Sequence, residues 1–98
     1  MNKLNFDVLI IGSGLAGLSS ALKLADTQKI AVISKCKLVD SSSHWAQGGI
    51  ASSISENDST KSHIEDTKIA GAGLCNYDVT KFVTENSKEA LNWLTKTG

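Results

Sequence analysis

The sequence feature that most constrains the fold is a glycine-rich turn between an apolar run and a helical pattern. The apolar run is Val8-Leu-Ile-Ile11, and the turn that follows carries its glycines in the spacing GxGxxG, at Gly12, Gly14 and Gly17. After the turn, apolar residues recur at helical spacing, at Leu18, Ala21, Leu22 and Ala25. A strand, a glycine turn and a helix in this order predict a dinucleotide-binding βαβ unit.

Each glycine of the turn has a separate physical role in such a unit. Gly12 allows the tight turn, Gly14 lets a pyrophosphate approach the backbone, and Gly17 lets the helix pack closely on the strand. The helix that begins near Gly14 directs unpaired N–H groups and a partial positive charge at the pyrophosphate. A glycine turn without a ligand is the alternative, but the apolar run before it and the helical spacing after it favour nucleotide binding.

Composition describes an ordinary globular chain. The 98 residues are 41% hydrophobic and 20% charged, with a formal net charge of zero. This balance carries no electrostatic footprint for nucleic acid or an anionic membrane. No apolar run approaches membrane-spanning length, and no signal-peptide pattern follows Met1, so we expect a cytoplasmic location. Cys36 and Cys75 lack metal-ligand spacing and are expected to be free thiols, and no metal site is predicted.

The patterns along the chain predict an α/β fold. The predicted elements are a strand at about Phe6–Ile11, a helix at Leu15–Ala25, a parallel strand at Ile30–Ile33, a helix from the N-cap Ser59 to Ala70, and a helix from the N-cap Asp78 to Lys96. An open doubly wound domain usually has about five or six strands, and two are evident here. We therefore expect the N-terminal, incomplete part of a Rossmann-like dinucleotide-binding domain from a longer protein.

Three segments are expected within this part of a domain. The βαβ unit occupies residues 1–35, a loop occupies 36–57, and a helical segment occupies 58–98. The polar stretch Ser34–Ser53 has no predicted secondary structure, and a segment of that length inside a domain is usually functional or disordered. Simple disorder of this stretch is not favoured, because it contains Trp45, Ile50 and the pair Gly48-Gly49.

The two later helices present further candidates. The last helix has an apolar stripe that we expect to pack on a neighbour, formed by Val79, Phe82, Val83, Ala90, Trp93 and Leu94. On the preceding helix, Ile64, Thr67 and Ile69 are expected to contact other elements. His63 and Asp66 lie three residues apart on one helix face and can pair, although a local polar pair is favoured over a catalytic one.

The nucleotide is not determined by the residues at the end of the second strand. NAD-binding units place an acid there to bind the ribose, but this chain has Ser34 followed by Lys35, and its next acid is Asp40. The serine hydroxyl can bond a ribose, and the lysine can approach an adenosine phosphate or a 2′-phosphate. NADP therefore remains an alternative on chemistry alone.

The segment after Lys35 resembles a known flavoprotein family. Ser42-Ser-His-Trp-Ala-Gln-Gly-Gly-Ile50 and His63-Ile-Glu-Asp-Thr-Lys-Ile-Ala-Gly-Ala-Gly-Leu-Cys75 are similar to motifs of the succinate dehydrogenase, fumarate reductase and L-aspartate oxidase flavoproteins. The similarity also includes the glycine turn and covers essentially the whole chain. Within the family, the L-aspartate oxidase branch is the most similar.

The resemblance implies FAD as the cofactor and assigns its contacts. Pyrophosphate contacts are implied for the turn and adenosine contacts for Lys35, and the polar loop is implied to run along the ribityl chain and flavin. The implied cofactor-binding residues are Gly12, Ser13, Gly14, Leu15, Ala16, Gly17, Lys35, Ser42, Ser43, His44, Trp45, Ala46, Gln47, Gly48 and Gly49. Catalytic residues of the family are expected downstream, so none is assigned here.

The position of His44 bears on how FAD is attached. Respiratory members of the family attach FAD through a histidine four residues before the alanine of this loop, a position held here by Ser42. Since His44 lies two residues later, we predict non-covalent FAD.

The resemblance further implies a reaction for the longer protein. L-aspartate is oxidised to iminoaspartate for quinolinate and NAD synthesis, oxygen or fumarate accepts the electrons, and a link to quinolinate synthase follows. The alternatives are a fumarate reductase or succinate dehydrogenase-type flavoprotein, an NADP-dependent reductase, and a non-catalytic nucleotide-binding module.

Overall fold

The computed structural model describes residues 1–98 and contains two strands and four helices. In chain order these are β1 (Val8–Ile11), α1 (Leu15–Leu24), β2 (Ile30–Ile33), α2 (Ser42–Trp45), α3 (Thr60–Ala70) and α4 (Tyr77–Thr97). They form two compact units, residues 1–49 and 50–98, which are described separately. The predicted α/β fold class is confirmed.

The first unit is built on a two-stranded parallel sheet. Val8 lies opposite Ile30 and Ile11 lies opposite Ile33, so the two β-branched runs are in register over their whole length. Asp7 extends the pairing beyond the start of β1, because its carboxylate accepts a 2.7 Å hydrogen bond from the N–H of Lys29. The strand begins at Val8 rather than at the predicted Phe6.

Helix α1 connects the two strands and begins directly after the glycine turn. Gly14 is its N-cap residue in an extended conformation, and Ala25 is its C-cap residue. The helix is therefore one residue shorter than predicted at its C-terminal end. A parallel pair requires such a crossover, because the second strand must start again at the end of the sheet where the first began.

The second unit is a pair of helices, and its first helix starts where the sequence predicts. The Ser59 hydroxyl accepts a 3.0 Å hydrogen bond from the N–H of Ser62, which confirms it as the N-cap of α3. Ile64 is buried, with 8% of its surface exposed. Ile69 is 70% exposed, so the expected contact with another element is wrong for that residue.

A glycine turn separates α3 from α4. A Cβ atom on Gly71 would lie 2.2 Å from the Sγ atom of Cys75, so a side chain there would displace the cysteine side chain. Gly73 has a φ of +89°, a conformation that residues other than glycine rarely adopt. The path of the turn thus requires a glycine at position 73.

The N-cap of α4 differs from the prediction. Asn76, not Asp78, caps the helix, and its Oδ1 atom accepts a 3.1 Å hydrogen bond from the N–H of Val79. Asp78 lies inside the first turn, where its negative charge complements the helix dipole. Both residue types are good N-caps, so composition alone does not distinguish the two positions.

The buried side of α4 carries small hydroxyl residues rather than the expected apolar stripe. Thr84 is buried at 6% exposure, and its hydroxyl donates to the carbonyl of Thr80, which satisfies the buried polar group within the helix. Val79, Phe82 and Val83 are 59–66% exposed, so their expected packing is not found within the unit. Ala90 is exposed as well, whereas Trp93 and Leu94 are half-buried.

The pairing considered for His63 and Asp66 does not form. The ion pair on this helix joins Glu65 and Lys68 at 3.3 Å, and both side chains are substantially exposed. No three His, Cys, Asp or Glu side chains of the chain are grouped so that they could hold a metal ion. None of the helices has the length and apolar character needed to cross a membrane.

Candidate functional site

A cavity in the first unit lies at the carboxyl ends of β1 and β2. Its volume is about 640 Å³, within the range of about 300–1,000 Å³ that is typical of small-molecule sites. Open α/β sheets bind their ligands at this end of the strands. The cavity is lined by Ile11, Gly12, Ser13, Gly14, Ile33, Ser34, Lys35, Asp40, Ser41, Ser42 and Ser43.

The glycine turn forms one wall of this cavity and is shaped by two glycines. Gly12 has a φ of +116°, and its N–H donates a 2.8 Å hydrogen bond to the carbonyl of Ile33. A Cβ atom on Gly17 would lie 2.2 Å from the carbonyl oxygen of Gly12. The turn therefore needs Gly12 for its conformation and Gly17 for the close approach of α1.

The N-terminus of α1 is open toward the cavity. Gly14 supplies no side-chain cap, and the first turn of the helix carries no acidic residue. The amides of this turn have no carbonyl partner inside the helix, and the helix dipole adds a partial positive charge. Ser13, just before the helix, is 5% exposed. This end of the helix suits an anion.

One first-turn amide of α1 is bonded to the polar loop. The N–H of Leu15 donates a 2.9 Å hydrogen bond to the hydroxyl of Ser43. A Cβ atom on Gly14 would lie 3.3 Å from the same hydroxyl oxygen, so a small residue at that position keeps the loop close to the helix. The polar loop and the glycine turn are therefore joined at this cavity.

The polar loop contains a short helix that the sequence did not predict. Ser41 caps α2, because its hydroxyl accepts a 3.3 Å hydrogen bond from the N–H of His44. The indole N–H of Trp45 donates a 2.9 Å hydrogen bond to Oδ1 of Asp40, across the whole helical turn. Four residues form too short a helix for periodicity to reveal, and these side-chain bonds define it.

The charged side chains of the cavity are one cation and one anion. Lys35 is exposed and comes directly after Ser34, the residue that stands where an NAD-binding unit has its acid. The carboxylate of Asp40 is engaged with Trp45, and the hydroxyl of Ser34 donates to the carbonyl of Cys36. Lys35 is therefore the side chain here that can approach a phosphate as a countercharge.

Nine of the fifteen site residues expected from the sequence lie in the lining of the cavity or beside it. Gly12, Ser13, Gly14, Lys35, Ser42 and Ser43 line the cavity. Leu15, Ala16 and Gly17 form the first turn of α1 beside it. The later loop residues are not part of its lining, namely His44, Trp45, Ala46, Gln47, Gly48 and Gly49.

Five lining residues were not among the expected site residues. Ile11 and Ile33 are the last residues of the two parallel strands, Ser34 follows β2 directly, and Asp40 and Ser41 precede α2. The rule that ligands bind at the carboxyl ends of parallel strands identifies the first two. Asp40 was noticed only as the next acid in the sequence, and Ser41 carries no sequence signal that separates it from its neighbouring serines.

These features define a dinucleotide-binding protein with a Rossmann-type βαβ unit. The glycine turn gives a pyrophosphate access to the backbone, the α1 amides can donate to it, and Lys35 can offset its charge. The chain belongs to the FAD binding domain family, whose model matches residues 7–98. FAD is thus the cofactor, as the family resemblance implied, and the residues around the turn fit its pyrophosphate.

The chain is also similar to several longer proteins. It is 53% identical over 91 residues to L-aspartate oxidase 1 of Ralstonia nicotianae, covering 93% of this chain and 17% of that protein. It is 51% identical over 92 residues to L-aspartate oxidase of Pseudomonas aeruginosa, covering 94% and 17% respectively. L-aspartate oxidase of Yersinia pestis is 50% identical over 92 residues, with the same two shares. The chain therefore spans about a sixth of the length of these relatives.

Proposed function

We propose that this chain supplies the pyrophosphate side of the FAD site in an enzyme that oxidises L-aspartate to iminoaspartate. The observation that carries the proposal is the identity of 50–53% to proteins named L-aspartate oxidase over more than nine-tenths of the chain. The cavity at the glycine turn supports it, since it offers a dinucleotide the backbone amides and the cation that its phosphates need.

The residues of the chain have separate roles in holding the cofactor. Gly12 and Gly14 keep side chains away from the pyrophosphate. The first-turn amides of α1 can donate to it, except that of Leu15, which is bonded to Ser43. Lys35 supplies a positive charge that favours binding of the negatively charged pyrophosphate. Ser42 and Ser43 add hydroxyl groups that can donate to phosphate or ribityl oxygens.

The chemical step itself depends on groups other than these cofactor-binding residues. When bound, FAD supplies the acceptor for the hydride that leaves the α-carbon of the substrate. We assign no substrate-binding or catalytic role to any residue of 1–98. In our proposal, cationic groups elsewhere in the enzyme hold the two substrate carboxylates, and oxygen or fumarate is the final acceptor. The cytoplasmic location and the functional link to quinolinate synthase stay predictions.

We further propose that FAD is held without a covalent bond to the protein. His44, the histidine of the polar loop, lies outside the cavity lining. Its ring stands edge-on to the ring of Trp45, with 5.4 Å between the ring centroids. Ser42 holds the position of the attachment histidine of the respiratory members, and it lines the cavity. Its side chain is a hydroxyl group, without the imidazole nitrogen through which those members attach the flavin.

The test is an anaerobic reduction of the purified protein, expressed from its own gene. We expect L-aspartate to bleach the yellow absorbance of the bound flavin, with D-aspartate as the matched control for substrate geometry. Bleaching by succinate but not by L-aspartate would favour a succinate dehydrogenase or fumarate reductase-type enzyme. Bleaching by NADPH alone would favour the nicotinamide-dependent reductase, and no bleaching by any of them would favour a binding module.

A further inference from the structure

Trp45 is held by polar contact rather than by burial. Trp45 is 71% exposed, which is unusual for a residue with a large aromatic ring. The indole N–H donates a 2.9 Å hydrogen bond to Oδ1 of Asp40, and the His44 ring lies edge-on against the indole. The Asp40 carboxylate therefore determines where this ring lies.

The Asp40–Trp45 hydrogen bond encloses the helical turn that carries Ser43. An isolated turn of four residues is unstable, because fixing its backbone gains too few hydrogen bonds. Ser41 stabilises the start of the turn, and the bond between Asp40 and Trp45 ties the residue before that cap to the last residue of α2. The α2 helix then places the Ser43 hydroxyl oxygen 2.9 Å from the amide nitrogen of Leu15.

We propose that Asp40 is a positioning residue of the FAD site, acting through Trp45. Its carboxylate does not attract the cofactor; it holds the indole and thereby the helical turn that presents Ser42 and Ser43 to the N-terminus of α1. The proposal rests on the FAD site proposed above and is independent of which substrate that FAD oxidises.

Charge and hydrogen bonding at Asp40 predict opposite effects on FAD affinity. The carboxylate lines the same cavity as the glycine turn, so its negative charge opposes the approach of a pyrophosphate. If charge were its whole contribution, any neutral replacement would tighten FAD binding. If positioning dominates, a replacement that keeps the acceptor oxygen preserves binding, and one that removes it weakens binding.

The experiment measures the dissociation constant of FAD for the protein expressed from its own gene, without any substrate present. We expect Asp40→Ala to raise this constant by about twofold to tenfold, the range for losing one hydrogen bond. Trp45→Phe, which keeps an aromatic side chain and removes the indole N–H, should raise it similarly. Asp40→Asn keeps an acceptor oxygen and should stay within about twofold of the parent protein.

The double variant Asp40→Ala/Trp45→Phe shows whether the two residues act as a unit. We expect it to bind FAD no more weakly than the weaker single variant, because both substitutions remove the same bond. Asp26→Ala is the matched control, since this acid lies in the exposed turn after α1, outside the cavity, and its loss changes the net charge equally. It should leave the dissociation constant unchanged.

Three results would overturn the positioning role. Tighter FAD binding in both Asp40 variants would show that the charge is what matters. Full additivity in the double variant would show two independent effects. A lowered unfolding midpoint with an unchanged dissociation constant would show a purely structural bond. Because FAD binding is measured without L-aspartate, a failure of L-aspartate as the substrate leaves this result intact.

Discussion

The amide N–H of Leu15 donates a 2.9 Å hydrogen bond to the hydroxyl of Ser43, 28 residues further along the chain. This contact joins the N-terminus of α1 to the short helix of the polar loop. Helix N-terminal amides lack partners within the helix, so a hydroxyl from elsewhere in the chain satisfies one of them. The bond thereby closes one side of the cavity that is proposed to receive the FAD pyrophosphate.

Replacing Ser43 should loosen this side of the site. We expect Ser43→Ala to raise the dissociation constant of FAD by about twofold to tenfold, since one hydrogen bond is lost. Ser43→Thr keeps the hydroxyl and should retain most of the affinity. Ser62→Ala, on an exposed position of α3, is the control and should have no effect. Equal affinities of the alanine variant and the parent would show that the bond is dispensable.

Gly17→Ala should disrupt the packing of α1 on the turn. The new Cβ atom would lie 2.2 Å from the carbonyl oxygen of Gly12, so backbone must move to accommodate it. We expect a loss of about 1–3 kcal/mol in the free energy of unfolding, measured by urea denaturation. Ser20→Ala on the exposed side of α1 is the matched control and should change this value by less than about 0.5 kcal/mol. A stable Gly17→Ala variant would contradict the close approach of helix and turn.

Lys35 should contribute to FAD binding through charge. Lys35→Ala is expected to weaken binding, and Lys35→Glu to weaken it further, because a negative charge replaces a positive one beside the cavity. Raising the salt concentration should reduce the difference between the variants, as expected for exposed charges. Lys37→Ala, two residues away and outside the lining, serves as the control. Identical affinities at low salt for Lys35→Glu and the parent would exclude the role.

Asn76 should matter more than Asp78 for the stability of α4. Asn76→Ala removes the side-chain acceptor for the Val79 amide and should cost about 1 kcal/mol in the free energy of unfolding. Asp78→Ala removes a favourable charge in the first turn, which is worth about 0.3–1 kcal/mol at low salt. Thermal or urea denaturation at low and high salt distinguishes the two variants. Only the loss of unfolding free energy in Asp78→Ala should become smaller at high salt. The reverse ranking would restore Asp78 as the cap.

Acid precipitation should release FAD from the protein. If the cofactor is bound without a covalent link, denaturation removes every contact that holds it, and the yellow colour stays in the supernatant. The measurement is the flavin absorbance of the pellet and of the supernatant. Colour that remains in a washed pellet would mean a covalent link, and His44→Asn would then show whether that histidine forms it.

Much of the first unit follows from the sequence because its determinants are local. Val8–Ile11 and Ile30–Ile33 are short β-branched runs, and Gly12 and Gly17 mark the turn and the crowded helix start. Each of these elements depends on residues within a few positions of one another. The same is true of Ser59, whose hydroxyl reaches an amide three residues away.

The polar loop and the buried side of α4 were decided by tertiary structure. The α2 helix depends on the hydrogen bonds of Ser43 with Leu15 and of Asp40 with Trp45. Neither hydrogen bond is indicated by a periodic pattern in the sequence. On α4, Thr84 is buried while Phe82 is exposed. The Thr84 hydroxyl donates to the helix backbone, so its burial leaves no polar group without a partner. Local pattern thus determined the βαβ unit and its glycines, while contacts between distant residues decided how the cavity is closed, since those contacts exist only once the chain has folded.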